Sequence, residues 1–403
     1  MLAHLALLTV TITMTAAWWG PSPAYKFLNE PATPEVVALG GCSTTRTDAE
    51  AGLYNPAALG VFHLENKCAV SFPLHGTPVL PLTDEAYTAS QSVSAGLSLS
   101  QLGLAPEHGP NLSFAFGYAR SEKHWGELPG SISGYGDDFI VEQVAESVES
   151  YSISVAIDYK VRLACGYSSK QAHSDFARIS VNDDEARLYD IGLMFTTRLR
   201  RRLHRSDSPF SAEHTFVNVV PTISFVHRNA VRKLPPEAYY YNYPGERLIR
   251  ARNVLGLSVR GALDREDRVE LISFTAAAEF SGETNSRAEV ESVGAEIGIC
   301  GLLFLRTGNR TNAYYDYSTG GDLVPNELAH FRDARSFNSY GFGVDLGGAL
   351  AWAWEMGWLP RPQKPLSDVF DNLNLSFDYA RMNVDRYDIP DLSQSGIKLS
   401  LSF

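Results

Sequence analysis

The chain has 403 residues, 44% hydrophobic and 11% aromatic, with 34 Lys and Arg against 46 Asp and Glu for a formal net charge of −12. That balance gives no sign of a nucleic-acid surface, no internal apolar run reaches the ~20 residues of a membrane helix, and no low-complexity linker divides the chain. The four cysteines, Cys42, Cys68, Cys165 and Cys300, are scattered with no CxxC pair, so neither a zinc site nor a disulfide framework is expected.

Leu5 to Trp19 is mostly apolar, and Ser22-Pro-Ala24 supplies small residues for a cleavage site before Tyr25. Residues 1–24 therefore read as a secretory signal peptide, with a single membrane anchor as the alternative. Beyond residue 66 the pattern changes to runs in which one parity is apolar and the other small or polar. Val93, Ala95, Leu97 and Leu99 alternate with serines and Gly96; Leu112, Phe114, Phe116 and Tyr118 with Ser113, Ala115 and Gly117. Tyr151, Ile153, Val155, Ile157 and Tyr159 follow, then Tyr189, Ile191, Leu193 and Phe195, then Tyr340, Phe342, Val344 and Leu346, then Leu373, Leu375, Phe377 and Tyr379. Period 2 is the signature of a strand. A soluble sandwich would place many Lys and Glu on the second parity. Here that parity is mostly Ser, Gly, Ala and Asn, which suits the crowded interior of a barrel; a soluble barrel or propeller is the competing reading.

The chain closes on Ser393-Gln-Ser-Gly-Ile-Lys-Leu-Ser-Leu-Ser-Phe403. Ile397, Leu399, Leu401 and Phe403 form its apolar face and read as the terminal strand recognised by a barrel-assembly machinery. With weaker runs near 67–73, 161–172, 214–227, 248–261, 268–281, 289–299 and 301–308, the expectation is an all-β, antiparallel transmembrane β-barrel of about 14 strands in the cell outer membrane. The segments near 74–88, 120–148, 228–247 and 309–335 fall outside, and the shorter ones near 101–110, 159–161 and 262–267 fall on the periplasmic side. Two inner connections, 200–213 and 350–370, are longer than that architecture needs, so either a hairpin is miscounted or they carry something.

Catalytic chemistry finds little support. There is no G-x-S-x-G elbow and no H-E-x-x-H, so the chain is read as a non-enzyme without cofactor or metal, an outer-membrane phospholipase being the enzymatic alternative. Asp137-Asp138 and Asp183-Asp184 lack the spacing of a calcium loop. Arg198-Leu-Arg-Arg-Arg202 reads as an anchor to lipid phosphates, a solvated turn or a dock for an acidic partner. Tyr239, Tyr240, Tyr241 and Tyr243 form a possible outer-loop binding patch, or belong to the interfacial belt. Trp352, Trp354 and Trp358 have the same ambiguity, and Ile140, Val144 and Val148 stand at helical spacing, as in a short helix capping the mouth.

Between the signal and the first strand stand Phe27-Leu-Asn-Glu30, Val36-Val-Ala-Leu-Gly-Gly41 and Thr47 to Gly60, in which Ala51, Asn55, Pro56, Ala57 and Leu59 follow an A-x-x-x-N-P-A-x-L pattern. This resembles the outer-membrane barrels related to the long-chain fatty acid transporter (FadL-like), and more closely their PorV/PorQ branch; Gly294 to Gly308 and Gly396 to Phe403 resemble that branch's late hairpin and last strand. The resemblance implies a hatch over residues 25–65, tucked inside a barrel formed by residues 66–403. Pro56, lacking an N–H, blocks strand pairing there. It further implies a PorV-like role in type IX protein secretion or surface attachment. A passive channel for hydrophobic compounds such as long-chain fatty acids is the alternative. The expected partners are outer-membrane lipid, together with secretion-system components or cargo proteins, or else hydrophobic small molecules.

Overall fold

The computed structural model describes residues 33–48, 50–76, 87–106, 109–124, 145–174, 185–202, 215–233, 251–265, 269–283, 289–313, 335–355, 357–360, 373–384 and 392–402. The expected signal peptide, the tyrosines at 239–243, both aspartate pairs and Phe403 lie outside these residues. The alternating runs become β1 (Cys68–Gly76), β2 (Tyr87–Ser98), β3 (Asn111–His124), β4 (Ala145–Asp158), β5 (Arg162–Ser174), β6 (Glu185–Thr196) and a short β7 (Leu199–Arg202). The wall continues through β8 (Thr215–Lys233), β9 (Arg252–Arg265), β10 (Val269–Glu283), β11 (Glu289–Ile299), β12 (Leu303–Ala313), β13 (Arg335–Asp345), β14 (Leu373–Val384) and β15 (Leu392–Ser402). All pairings are antiparallel, and β1 pairs with β15 from Ala69↔Ser402 to Gly76↔Ser395, so the sheet closes on itself and leaves no open edge.

The fifteen stretches fill fourteen wall positions. Both β6 and β7 pair with β8 in one continuous register, Thr196↔Thr222 and then Leu199↔Val219. The interruption between them has a cause on the neighbouring strand. Thr197 N donates to Pro221 O at 3.2 Å, but Pro221 has no N–H to return.

Side-chain parity follows the sequence pattern. Phe114, Phe116, Ile153, Leu193, Phe377 and Ile397 point outward and are exposed to the surroundings, whereas Ser113, Ser154, Met194 and Asp378 point inward and are buried. The outward band is the apolar surface that lipid covers in such a barrel. The expected capping helix is not formed over residues 145–148, because Val148 belongs to β4 and pairs with Ser121 and Ala172; its spacing from Ile140 and Val144 does not mark a helix face there.

Residues 33–66 lie in the lumen and carry three short helices, α1 (Pro34–Ala38), α2 (Ala51–Tyr54) and α3 (Pro56–Phe62). Two have the same local cause. Thr33 and Asn55 accept the backbone N–H of Val36 (3.4 Å) and Ala57 (3.0 Å), and a proline follows each cap at the first helical position. A fourth helix, α4 (Leu346–Glu355), occupies part of the long connection after β13. Asp345 caps it by accepting from Gly347 N and Gly348 N. The strand count therefore stands, and the two long inner connections carry α4 and the β7 extension.

Candidate functional site

The lumenal segment is seated on two opposite parts of the wall. On one side, register places Gly96, Ala115, Ser154, Gly166, Gly192 and Val226 in a row across β2 to β8, all facing inward. The chain reverses direction over this row at Tyr54-Asn55-Pro56-Ala57. A Cβ at Gly166 would overlap the Pro56 backbone, and one at Gly192 would overlap Asn55 Oδ1, so only glycine lets the segment lie against the wall. Ser154 then serves both ends of the first turn of α3: Gly60 N donates to its Oγ at 3.1 Å, and that hydroxyl lies 3.2 Å from Ala57 O. Ser113 Oγ donates to Gly60 O at 2.7 Å. One row further along, Ala156, Ala164 and Met194 pack against Ala51, Ala57, Ala58, Val61 and Leu64 to make a small dry core.

On the other side α1 packs against β12 to β15. Ser339 Oγ donates to Ala38 O at 3.1 Å, and Glu279 Oε2 accepts from Ser43 N (2.9 Å), Thr44 N (3.0 Å) and Thr44 Oγ1 (3.0 Å). Between the two seats runs a buried ionic cluster. Arg46 bonds Glu35 and Asp48, Lys398 Nζ lies 3.3 Å from Glu50 Oε1, and Ser71 Oγ donates to that same oxygen at 2.8 Å. Arg306 pairs with Asp378 at 2.5 Å and Glu296 at 2.6 Å. Burial alone would raise the Glu35 and Asp48 carboxyls, but the Arg46 guanidinium beside them holds both below their ordinary range. Glu50 goes the other way, since its burial outweighs the Lys398 ammonium.

The outer side of the first seat is also distinctive. A concave apolar groove of about 410 Å³ crosses β4, β5, β6 and β8, lined chiefly by Val155, Leu163, Leu193, Phe195, Ile223 and Phe225. Its floor includes Ala164 and Met194, the same residues that meet the lumenal segment from within. At this place the hydrogen-bonded sheet of β4, β5, β6 and β8 has apolar packing on its inner face and the apolar groove on its outer face.

The structure brings Ala51, Asn55, Pro56, Ala57 and Leu59 together, all almost completely buried at the first seat. Ile397 and Leu399 face outward, and Leu401 shares their parity in register with Val70 and Leu373. The arginines at 198–202 are exposed, with the Arg200 guanidinium over the Phe216 ring at 3.8 Å. Trp352 meets Trp358 edge-on at 4.5 Å, and Trp358 is exposed. Sequence reading missed Glu50, Arg228, Glu279 and the Lys170–Asp190 pair. The available signal was a charged residue interrupting a row of small ones. Among the described residues no group of three His, Cys, Asp or Glu side chains is gathered as for a metal ion.

No protein-family model matches the chain, and neither does any curated protein. Solved structures do resemble it. The CymD monoaromatic hydrocarbon channel is 10% identical, over 94% of this chain and 99% of that one, at a TM-score of 0.37. The Pseudomonas putida toluene transporter TodX is 10% identical over 93% and 97%, at 0.33. A Pseudomonas aeruginosa FadL homologue is 13% identical over 93% and 97%, at 0.38. The closed antiparallel sheet and its apolar outward band make this chain a β-barrel of the membrane-spanning type. The likeness is one of fold, to fourteen-stranded FadL-family barrels, and nothing in it carries the narrower PorV/PorQ resemblance.

Proposed function

We propose that the barrel is a passage for hydrophobic small molecules and that its lumenal segment is the hatch, the second of the two roles left open by the sequence. The observation that carries this reading is the small apolar core that α3 makes with Ala156, Ala164 and Met194 on the inner face of the wall. When α3 lifts, the inner face of this wall becomes an apolar surface, and a hydrophobic solute can pass along it through the lumen without crossing the charged cluster. A secretion role finds no comparable support among the described residues. Monoaromatic hydrocarbons are also what two of the similar barrels are named for.

The test is to pin the hatch. The Gly60 Cβ position lies 2.6 Å from Ser154 Oγ, close enough for a Gly60→Cys/Ser154→Cys disulfide. In proteoliposomes, uptake of the fluorescent hydrophobe N-phenyl-naphthylamine should fall to the protein-free rate after oxidation and recover on reduction. Uptake that is equal in the oxidised and reduced states would overturn the reading.

A further inference from the structure

The ladder between β6 and β8 shifts register twice, once at its end between Arg187↔Lys233 and Leu188↔Val231 and once further in. Between Tyr189↔Ala230 and Ile191↔His227, two residues of β8, Arg228 and Asn229, stand opposite the single residue Asp190. Asn229 takes a left-handed φ of 53°, which Asn tolerates better than most side chains. A bulge of this kind bends its strand, frees a backbone group from the ladder and re-aims a side chain.

Each of those consequences has a partner here. The buried Asn229 N donates to Asp190 Oδ1 at 2.8 Å. Asp190 is completely buried, and its other oxygen lies 2.5 Å from Lys170 Nζ. The re-aimed side chain is that of Arg228, whose Nε and Nη2 donate to Tyr54 O at 3.0 and 2.9 Å, while Nη2 also reaches Ser43 Oγ at 3.1 Å. Tyr54 is the last residue of α2 and the first of the reversal that lies on Gly166 and Gly192. Its carbonyl, at a helix end, is left without an intrahelical donor and receives two from one guanidinium.

We propose that Lys170, Asp190 and the bulge form a latch that aims Arg228 at the Tyr54 carbonyl, setting how firmly α2 and α3 are held. Lys170 and Asp190 are positioning residues, acting on the hatch only through Arg228. What the latch restrains rests on the channel reading above; the hold itself does not. Residues 36–41 are tied separately, through Ser339 at Ala38, and Ser43 is held by Glu279 as well as by Arg228, so the latch governs chiefly the other end of the lumenal segment.

The experiment is amide hydrogen exchange by mass spectrometry on the full chain in lipid nanodiscs, with N-phenyl-naphthylamine uptake measured in parallel. Arg228→Met should speed exchange at residues 51–62 about 10- to 100-fold, the loss of a charge-assisted pair of bonds, and leave residues 36–41 unchanged. Asp190→Ala with Lys170→Met deletes the bulge acceptor and its counter-charge together and should give the same increase. Asp190→Asn with Lys170→Met keeps an amide oxygen for Asn229 N–H and should stay close to wild type. Adding Arg228→Met to the Asp190→Ala pair should give no further increase. Unchanged exchange at 51–62 in Arg228→Met overturns the latch, as does an equal rise at 36–41 or a fully additive triple variant. Should the Asp190→Ala pair fail to form a barrel, Arg228→Met decides alone. Faster exchange without altered uptake upholds the latch and removes the channel reading; hatch-dependent uptake with unchanged exchange does the reverse.

Discussion

Glu50 links the lumenal segment to the seam where the barrel closes, and removing its counter-charge should weaken the whole fold. Its Oε1 accepts from Ser71 on β1 at 2.8 Å and faces Lys398 on β15 at 3.3 Å, while its Oε2 has no hydrogen-bond partner. The side chain is 1% exposed. Lys398→Met leaves that carboxylate buried and unpaired, together with Asp48 and Glu35 close by, and removal of one partner of a buried pair costs about 3–5 kcal/mol. Lys398→Met/Glu50→Gln removes both charges and keeps an acceptor for Ser71, so most of the loss should return. The deficit also has a predictable pH dependence. Burial already pushes the Glu50 carboxyl above its ordinary 4.5, with Asp48 and Glu35 adding to it and Lys398 and Arg46 opposing. Loss of Lys398 raises it further. A carboxyl with a raised folded pKa costs stability at all pH values above that pKa, and the cost fades as pH falls through it toward the unfolded value. The Lys398→Met deficit should therefore be full above the raised Glu50 pKa and shrink as pH falls through it. Urea unfolding in lipid vesicles, followed by heat-modifiable mobility and tryptophan emission, measures both effects. A deficit of the same size at every pH, or a double variant no better than the single, would refute the reasoning.

Four further substitutions probe the wall by the same unfolding titration. Gly192→Val forces a side chain into Asn55 Oδ1 and should cost about 1–3 kcal/mol, whereas Gly261→Ala, with no atom within 4 Å of the new methyl, should cost nothing measurable. Phe116→Lys puts a charge where an outward side chain is 66% exposed to the lipid side, and should cost about 2–4 kcal/mol if that residue lies near the bilayer midplane. Pro221→Val returns the missing N–H to Thr197 and should gain about 0.5–1.5 kcal/mol, with a new slowly exchanging amide at position 221 as its signature.

The wall was legible because lipid imposes a period of two on every strand that crosses it, and runs such as Tyr151 to Tyr159 show that period without interruption. The pairing partners of the hatch were not legible. Thr44 and Glu279 are 235 residues apart, and no local pattern encodes a contact over that distance. Lys170, Asp190, Asp378 and Lys398 stand out as charges in rows of Ser and Gly, which tells that each has a partner inside the barrel without telling which. The same consideration explains why the second parity is so small. Slipping a strand by one residue would turn its apolar face inward, and lipid rejects that. A slip of two residues keeps every apolar side chain outside, so the bilayer has little power to oppose it. Inside, however, it would bring Ser168 or Ala164 under Pro56 in place of Gly166, where a Cβ overlaps the Pro56 backbone. The same slip in β4 would carry Ser154 away from Ala57 O and Gly60 N. The hatch thus discriminates between registers that lipid cannot tell apart, and the glycines of the lumen row are where that discrimination is made.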